Sequence, residues 1–221
     1  MPFSREGFEI VNDFIDPVYL DAVKSETDEV EFGKNRGGIR GAENKFGSVR
    51  SLLDSDVLSR SAEAYLGGKP CFVRAILFNK TPSNNWLVTW HQDRTIAVSS
   101  KREIDGWGPW SIKDGCHHVQ PGIDVLNSMV TFRLHIDEST EENGCLKVIP
   151  ESHKIGVMSQ PEIKSYVQDS IPVQCLAKPY SALVMRPHIL HASSKATKPS
   201  NRRVLHVEYS SYTLPIGLKW V

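Results

Sequence analysis

The sequence predicts a mainly β protein, a sandwich, barrel or jelly roll, that is preceded by a helical segment. From Cys71 onward, short apolar, β-branched and aromatic runs recur between clusters of Gly, Pro, Asn and Ser. Many short strands separated by turns are typical of these antiparallel folds. The stretch before Cys71 carries helix signals instead. A length of 221 residues favours one domain over 1–221, helical over about 1–68 and with a β core over about 70–212.

The helix signals lie at two places. Asp16 followed by Pro17 is an N-cap with proline at the first helical position, and apolar residues follow at helical spacing. A second helix is expected from about Asp54 or Ser55 to the glycine pair 67–68, which is a helix stop.

Two connecting segments have distinct expectations. Residues 137–144 (DESTEENG) lie between strand-like runs and predict a hairpin loop. Residues 99–122 have little periodicity and predict a long loop that covers a site. Tryptophans in this second segment argue against disorder.

Composition excludes several classes of function. The formal net charge is zero and the pI is about 7.1, which gives no bulk signal for nucleic acid. No run approaches the ~18–20 apolar residues of a membrane span, and the amino-terminal segment does not resemble a signal peptide. The four cysteines form no C-x-x-C pair, so reduced thiols in a cytoplasmic protein are expected. A small-molecule substrate is the expected partner, and a homodimer is left open.

Two short stretches carry the candidate metal ligands. WHQD places His91 and Asp93 two positions apart, so on a strand their side chains share one face. MRPHILHASS adds His188 and His191 late in the chain. Two histidines and one carboxylate on one face of a metal form the facial triad of non-haem Fe(II) oxygenases. Spacing alone leaves His188 and His191 as alternative second histidines.

A pair of arginines follows about ten residues after the second histidine. Arg202 and Arg203 begin the strand-like run NRRVLHVEY. An arginine at such a place can hold a dicarboxylate through a fork-shaped ion pair.

These stretches resemble the phytanoyl-CoA dioxygenase family of Fe(II)/2-oxoglutarate oxygenases. The matching pieces are WHQD (90–93), LHIDESTEENGCLKVIPESHKIG (134–156), RPHILHASS (186–194) and NRRVLHVEY (201–209), in the family's order. The resemblance covers about 70–210, and GFEIVNDFI near the amino terminus is also similar to the family's opening. It implies a double-stranded β-helix, a jelly roll with helices outside.

The resemblance also implies a set of site residues. Iron is held by His91, Asp93 and His191, with 2-oxoglutarate and O2 as co-substrates. Arg202 and Ser193 bind 2-oxoglutarate. Arg203 is the alternative to Arg202, because a slip of one residue moves a side chain to the other face of a strand.

The implied reaction is oxidation of an unactivated C–H bond, with release of succinate and CO2. Relatives that halogenate lack the carboxylate ligand, so Asp93 favours hydroxylation. Desaturation, epimerisation and cyclisation remain alternatives within the enzyme class. A cupin-like small-molecule binding protein without turnover is the alternative outside it.

Other polar and aromatic residues have weaker expectations. Gln92 is expected in a framework hydrogen bond, Trp86 and Trp90 in the core, and Lys80 and Arg74 at the surface, with a co-substrate contact as the alternative. The expected substrate-pocket residues are Arg94, Trp107, Trp110, His118, Arg133 and His135.

Overall fold

The computed structural model describes residues 2–30 and 37–221. In these ranges, antiparallel pairing builds three sheets. The strands are β1 (Phe8–Val11), β2 (Gly38–Arg40), β3 (Cys71–Lys80), β4 (Val88–His91), β5 (Ile96–Val98), β6 (Trp110–Lys113), β7 (Cys116–Val119), β8 (Met129–His135), β9 (Leu146–Val148), β10 (Val173–Cys175), β11 (Ala182–Met185), β12 (His191–Ser193) and β13 (Arg202–Ser210).

The helices lie mainly in the first third of the chain. They are α1 (Pro2–Glu6), α2 (Pro17–Thr27), α3 (Ala42–Lys45), α4 (Gly47–Asp54), α5 (Val57–Leu66), α6 (Ile123–Asn127) and α7 (Gln160–Gln168), with a 3-10 turn at Ser152–Ile155. The Asp16 carboxylate accepts the Val18 N–H at 3.0 Å, which confirms the predicted cap of α2. The second predicted helix is α5, which ends at Gly67 with φ of 67°. Helix α4 was not predicted.

The large sheet has the order β1-β11-β8-β13-β3-β2. Its outer face packs on the helices because every second residue of β13 is apolar, as Leu205 and Val207 show. The other face of β13 carries Arg202, His206 and Glu208 into the interior. Strands β1 and β2 extend the two edges of this sheet, which corrects the expectation of a wholly helical amino-terminal part.

The smaller sheet has the order β10-β9-β12-β4 and packs against the inner face of the large one, which completes the double-stranded β-helix. Residues 137–144 do not form a hairpin. Strand β8 before them pairs with β11 and β13, whereas β9 after them pairs with β10 and β12. The segment therefore crosses from one sheet to the other, a connection that local turn chemistry cannot distinguish from a hairpin.

A third sheet, β5-β7-β6, closes one end of the fold. Strands β6 and β7 lie within the segment 99–122, so the prediction of a loop without strands was wrong there, whereas residues 99–109 contain no strand. Strands β6 and β7 form a hairpin around Asp114 and Gly115, both of which have positive φ. Below it lies a small apolar core that includes Ile96, Val98 and Val119.

All four cysteines are free, and two of them, Cys145 and Cys175, are buried. Within the described residues, no helix is long and apolar enough to cross a membrane.

Candidate metal centre

Two histidines face each other across neighbouring strands of the small sheet. His91 ends β4, His191 begins β12, and the two are Cα partners with ring centroids 4.2 Å apart. The Nδ1 atoms lie 2.8 Å from the carbonyl oxygens of Thr89 and Ile189, respectively. A carbonyl oxygen only accepts, so Nδ1 carries the proton and donates in both rings. Each Nε2 therefore presents a lone pair, as a metal-ligating histidine requires.

The carboxylate of Asp93 lies between these two nitrogens. Its oxygens are 3.7 Å from His91 Nε2 and 3.6 Å from His191 Nε2. Strand β4 ends at His91, so the alternation of a strand does not explain this approach. The Asp93 N–H donates to the carbonyl oxygen of Pro187 at 3.0 Å, which ties the segment after β4 to the loop before β12.

The predicted framework role of Gln92 agrees with its contacts. Its amide nitrogen donates to the carbonyl oxygens of Gly156 and His188 at 2.7 and 2.8 Å, and its amide oxygen accepts the Met158 N–H. One side chain thus joins three segments behind the metal ligands.

The protonation states suit a divalent cation. Burial lowers the pKa of His191 to about 4, although Asp93 opposes this shift. Burial alone would raise the pKa of Asp93, but His191 and His91 hold it well below its usual range. At neutral pH the centre therefore offers a neutral imidazole at His191 and an anionic carboxylate. The ligand atoms of the three residues lie within 4.8 Å of one another.

A second group of acidic and imidazole side chains shares Asp93 with the first. It adds His206 and Glu208, again with ligand atoms within 4.8 Å. His206 Nδ1 accepts from Arg133 at 3.1 Å, so its Nε2 carries the proton and donates to Glu208 at 2.8 Å. With both ring nitrogens engaged, His206 has no lone pair for a metal, and the first group is the better ligand set.

The centre is open on one side. The side chains of His91 and Asp93 are 33% and 30% exposed, whereas that of His191 is 4% exposed. A cation held here keeps coordination positions that small molecules can reach, as in the facial triad.

Deeper in the barrel, two buried cations lie together. Arg202 and Lys80 are Cα partners on β13 and β3, and they are 5% and 2% exposed. Lys80 Nζ donates to Ser193 Oγ at 2.7 Å and to the Ser194 carbonyl oxygen, while Ser193 Oγ donates to the Gly144 carbonyl oxygen. Arg202 Nε has no hydrogen-bond partner among the described residues.

These cations lack a compensating carboxylate in the described part of the chain. Burial lowers the pKa of Lys80 to about 8 and that of Arg202 to about 10, and no carboxylate opposes either shift, which only the Cys145 thiol counteracts. A buried charge without a partner is costly unless a ligand supplies one. Lys80 was expected at the surface, as was Arg74, and both expectations were wrong: Arg74 is ion-paired to buried Glu208 at 2.7 Å.

Arg203 and His188, the two sequence alternatives, are placed differently. Arg203 points to the helical side and forms ion pairs with Asp137 at 2.8 Å and with Asp28. His188 is fully buried, its ring lies 6.0 Å from that of His153, and neither of its nitrogens has a hydrogen-bond partner among the described residues.

The six expected substrate-pocket residues are not brought to one place. Arg133 and His135 are buried inside the barrel. Burial, Arg133 and Arg202, in that order, lower the pKa of His135 to about 3. His118 lines a cavity near Arg74. Arg94 donates to the Met158 carbonyl oxygen. Trp107 and Trp110 pack against the small apolar core under β5 and β7 and line a separate, shallow depression.

Sequence reasoning gave no role to His206 and Glu208, and for Lys80 it ranked a co-substrate contact below a surface position. The available signal was alternation: in RRVLHVEYS, Arg202, His206 and Glu208 share one face, opposite the apolar face that packs on the helices. A polar face on a strand that is buried over its whole length indicates a polar interior.

The fold and this centre define an oxygenase of the non-haem iron, 2-oxoglutarate-dependent class. The model of the phytanoyl-CoA dioxygenase family matches residues 3–204, and the chain belongs to this family. No curated protein matches the sequence significantly.

Solved structures share the fold at low sequence identity. AviO1 from Streptomyces viridochromogenes Tue57 is 18% identical with a TM-score of 0.71, and the match covers 97% of this chain and 94% of AviO1. The epimerase SnoN from nogalamycin biosynthesis, in complex with Fe3+, alpha ketoglutarate and nogalamycin RO, is 13% identical with a TM-score of 0.71, covering 99% and 83%. EctD from S. alaskensis, with 2-oxoglutarate and 5-hydroxyectoine, is 16% identical with a TM-score of 0.70, covering 95% and 74%.

Proposed function

We propose that this protein hydroxylates an unactivated C–H bond of a small organic substrate, with Fe(II) held by His91, Asp93 and His191. The observation that carries the proposal is the convergence of two Nε2 lone pairs and one carboxylate on a centre that is open on one side. When bound, iron with 2-oxoglutarate and O2 supplies the oxidation: one oxygen atom enters the product hydroxyl and the other enters succinate, with loss of CO2.

The residues around the metal ligands keep them in position. Thr89 and Ile189 hold the rings through Nδ1, and the Gln92 amide joins the segments behind them. Such contacts fix the tautomer and orientation of ligating histidines. Asp93 supplies the one protein anion of the triad and occupies the position that halogenating relatives leave free.

Arg202 and Lys80 fit the distal carboxylate of 2-oxoglutarate. That carboxylate would bring a negative charge to two cations that are buried without a carboxylate partner in the described structure. Ser193 supports this site through Lys80, because its hydroxyl oxygen accepts from Lys80 and so keeps the ammonium in place. Four free thiols agree with a cytoplasmic enzyme.

Hydroxylation is one of several outcomes within this fold. Proteins of similar structure include the epimerase SnoN, the carbocyclase SnoK and EctD, which was solved with 5-hydroxyectoine. The placement of the substrate decides among such outcomes, and hydroxylation is favoured here by the carboxylate ligand Asp93.

Turnover of 2-oxoglutarate tests the proposal without a known substrate. The enzyme with Fe(II), O2 and 2-oxoglutarate should form succinate slowly, and Asp93→Gly should abolish it. His188→Ala is the matched control and should retain succinate formation. If 2-oxoglutarate binds but no succinate forms in the wild type, even across a broad panel of small organic compounds, the protein is a binding module and not an oxygenase.

A further inference from the structure

A cavity of about 410 Å³ lies between strand β3 and the three-stranded sheet β5-β7-β6. One wall carries Arg74 and Ile76 of β3, and the other carries Lys113, Cys116 and His118 of the β6–β7 hairpin. Arg40 and Asp114 lie at its exposed rim, where they form an ion pair at 3.4 Å.

This cavity adjoins the metal centre through two contacts. Arg74 donates to Glu208 Oε1 at 2.7 Å, and a carboxylate oxygen of Glu208 lies within 4.8 Å of an oxygen of Asp93. A molecule that contacts Arg74 in the cavity is therefore separated from Asp93 by two side chains, Arg74 and Glu208.

Charged groups in the cavity leave two lysines without a carboxylate partner among the described residues: the exposed Lys45, whose ammonium donates to the Arg40 carbonyl oxygen at 2.8 Å, and the half-buried Lys113. Arg74 is paired with Glu208 and Arg40 with Asp114, while the Glu43 carboxylate accepts from the Ala75 N–H and the Asn44 amide. Lys113 has no carboxylate within ion-pair distance among the described residues.

The half-buried position of Lys113 makes this lack of a partner costly. Burial and the neighbouring Arg74 and Arg40 disfavour its charged form and lower its pKa, and the Asp93 carboxylate opposes this shift only in part. The half-buried His117 and the buried His118 add ring nitrogens to the same cavity. Its walls thus combine apolar surface from Val73, Ile76 and Val98 with an anion-receptive end at Lys113.

We propose that this cavity binds the primary substrate and that Lys113 receives an oxyanion of that substrate, a carboxylate or a phosphate. The inference rests on the proposed function, because it places an anionic substrate with its opposite end directed to the Asp93 side of the metal centre. A small organic acid or phosphate ester fits the volume better than a large acyl carrier does.

Cys116 provides a reporter within the cavity, and exposed Cys71 provides an internal control. Alkylation by anionic iodoacetate and by neutral iodoacetamide is followed at each cysteine by mass spectrometry under anaerobic conditions, with and without Fe(II) and 2-oxoglutarate. The ratio of the iodoacetate rate to the iodoacetamide rate should be about fivefold higher at Cys116 than at Cys71, as expected for one partly exposed ion pair. Benzoate or inorganic phosphate should slow the reaction of Cys116 only, and benzamide should not.

Substitutions assign the effect to Lys113. Lys113→Met should remove both the preference and the protection, Lys113→Arg should retain them, and Lys101→Met, outside the cavity, should change neither. Protection by benzoate alone identifies a carboxylate receptor, and protection by phosphate alone a phosphate receptor. Equal preferences at both cysteines, or a preference that survives Lys113→Met, overturn the proposal. The alkylation assay needs neither metal nor turnover. A negative alkylation result therefore leaves the oxygenase proposal intact, and absence of succinate formation leaves the anion site at Lys113 intact.

Discussion

Adjacent arginines at the start of β13 have opposite environments because successive side chains of a strand point to opposite faces. The Arg202 side chain points into the barrel beside its strand partner Lys80, whereas Arg203 forms ion pairs with Asp137 and Asp28 on the helical side. The family pattern favoured Arg202 over Arg203 as the 2-oxoglutarate ligand. The register of β13 gives a physical reason, because it turns Arg202 and not Arg203 toward the interior.

Arg202→Ala should weaken 2-oxoglutarate binding by roughly 30-fold to several thousandfold, since removing one partner of a buried charge pair costs about 2–5 kcal/mol. Arg202→Lys should lose less, because it keeps the charge without the fork. Titration of the anaerobic Fe(II) complex with 2-oxoglutarate measures the affinity of both variants, and both should still bind iron. Arg203→Ala is the control: it should keep the affinity but lower the free energy of unfolding by about 1–3 kcal/mol, since the half-buried Asp137 loses its partner. A large loss of affinity in Arg203→Ala alone would reverse the assignment.

His91→Ala and His191→Ala should each abolish stoichiometric Fe(II) binding, because each removes one of three ligands. His188→Ala should retain iron while lowering thermal stability, since a fully buried ring leaves a cavity. Metal analysis after desalting, with a thermal melt of each apo variant, separates loss of iron from loss of fold. Iron retained in His191→Ala and lost in His188→Ala would show that the ligands are misassigned.

Lys80 should make 2-oxoglutarate binding depend on pH. Burial lowers the pKa of Lys80 to about 8, so the free protein loses this charge as the pH rises through 8. A bound carboxylate favours the ammonium, so binding takes up a proton above that pH and the affinity should fall there, while it stays level between about pH 6 and 7.5. Lys80→Met should bind more weakly and show no such fall. An identical pH profile in both proteins would exclude Lys80 from the co-substrate site.

At the scale of elements, the turn before β9 supports the co-substrate site. Gly144 has φ of 75°, and its carbonyl oxygen accepts the Ser193 hydroxyl. A Cβ at this position would lie 2.5 Å from the Ser194 carbonyl oxygen and 3.0 Å from Lys80 Nζ. Both atoms belong to the hydrogen bonds that place Lys80.

Gly144→Ala should therefore lower 2-oxoglutarate affinity as well as stability, with iron binding retained. Gly67→Ala is the matched control, because Gly67 also has positive φ but has nothing within 4 Å of an added Cβ. That variant should lose stability alone. Equal affinities in the two variants, measured by the same titration, would mean that the turn does not position the site.

Short elements limited what the sequence could predict. The cap at Asp16 and the stop at Gly67 are local signals, and they located α2 and α5. Strand β12 has only three residues, β1 and β2 lie among helices, and the segment 137–144 resembles any hairpin loop. Pairing partners far along the chain determine these elements, and local patterns do not contain that information.

At the scale of the whole molecule, the large and small sheets enclose a polar interior in which charged side chains contact one another in a row. Lys80 and Arg202 lie together near Ser193, Arg133 contacts His206, and the path continues through Glu208 to Arg74. The candidate metal ligands could be found in the sequence because two short motifs carry them. This interior path was not, since it requires the register of β3, β8 and β13 together.

The central claim is that His91, Asp93 and His191 hold an iron that chelates 2-oxoglutarate. The most direct measurement is the visible charge-transfer absorption of the chelate, recorded anaerobically as 2-oxoglutarate is added to the Fe(II) protein. The wild type should develop the band stoichiometrically, Arg202→Ala should require far more 2-oxoglutarate, and His191→Ala should show none. Absence of the band in iron-loaded wild type at saturating 2-oxoglutarate, or its persistence in His191→Ala, would contradict the account.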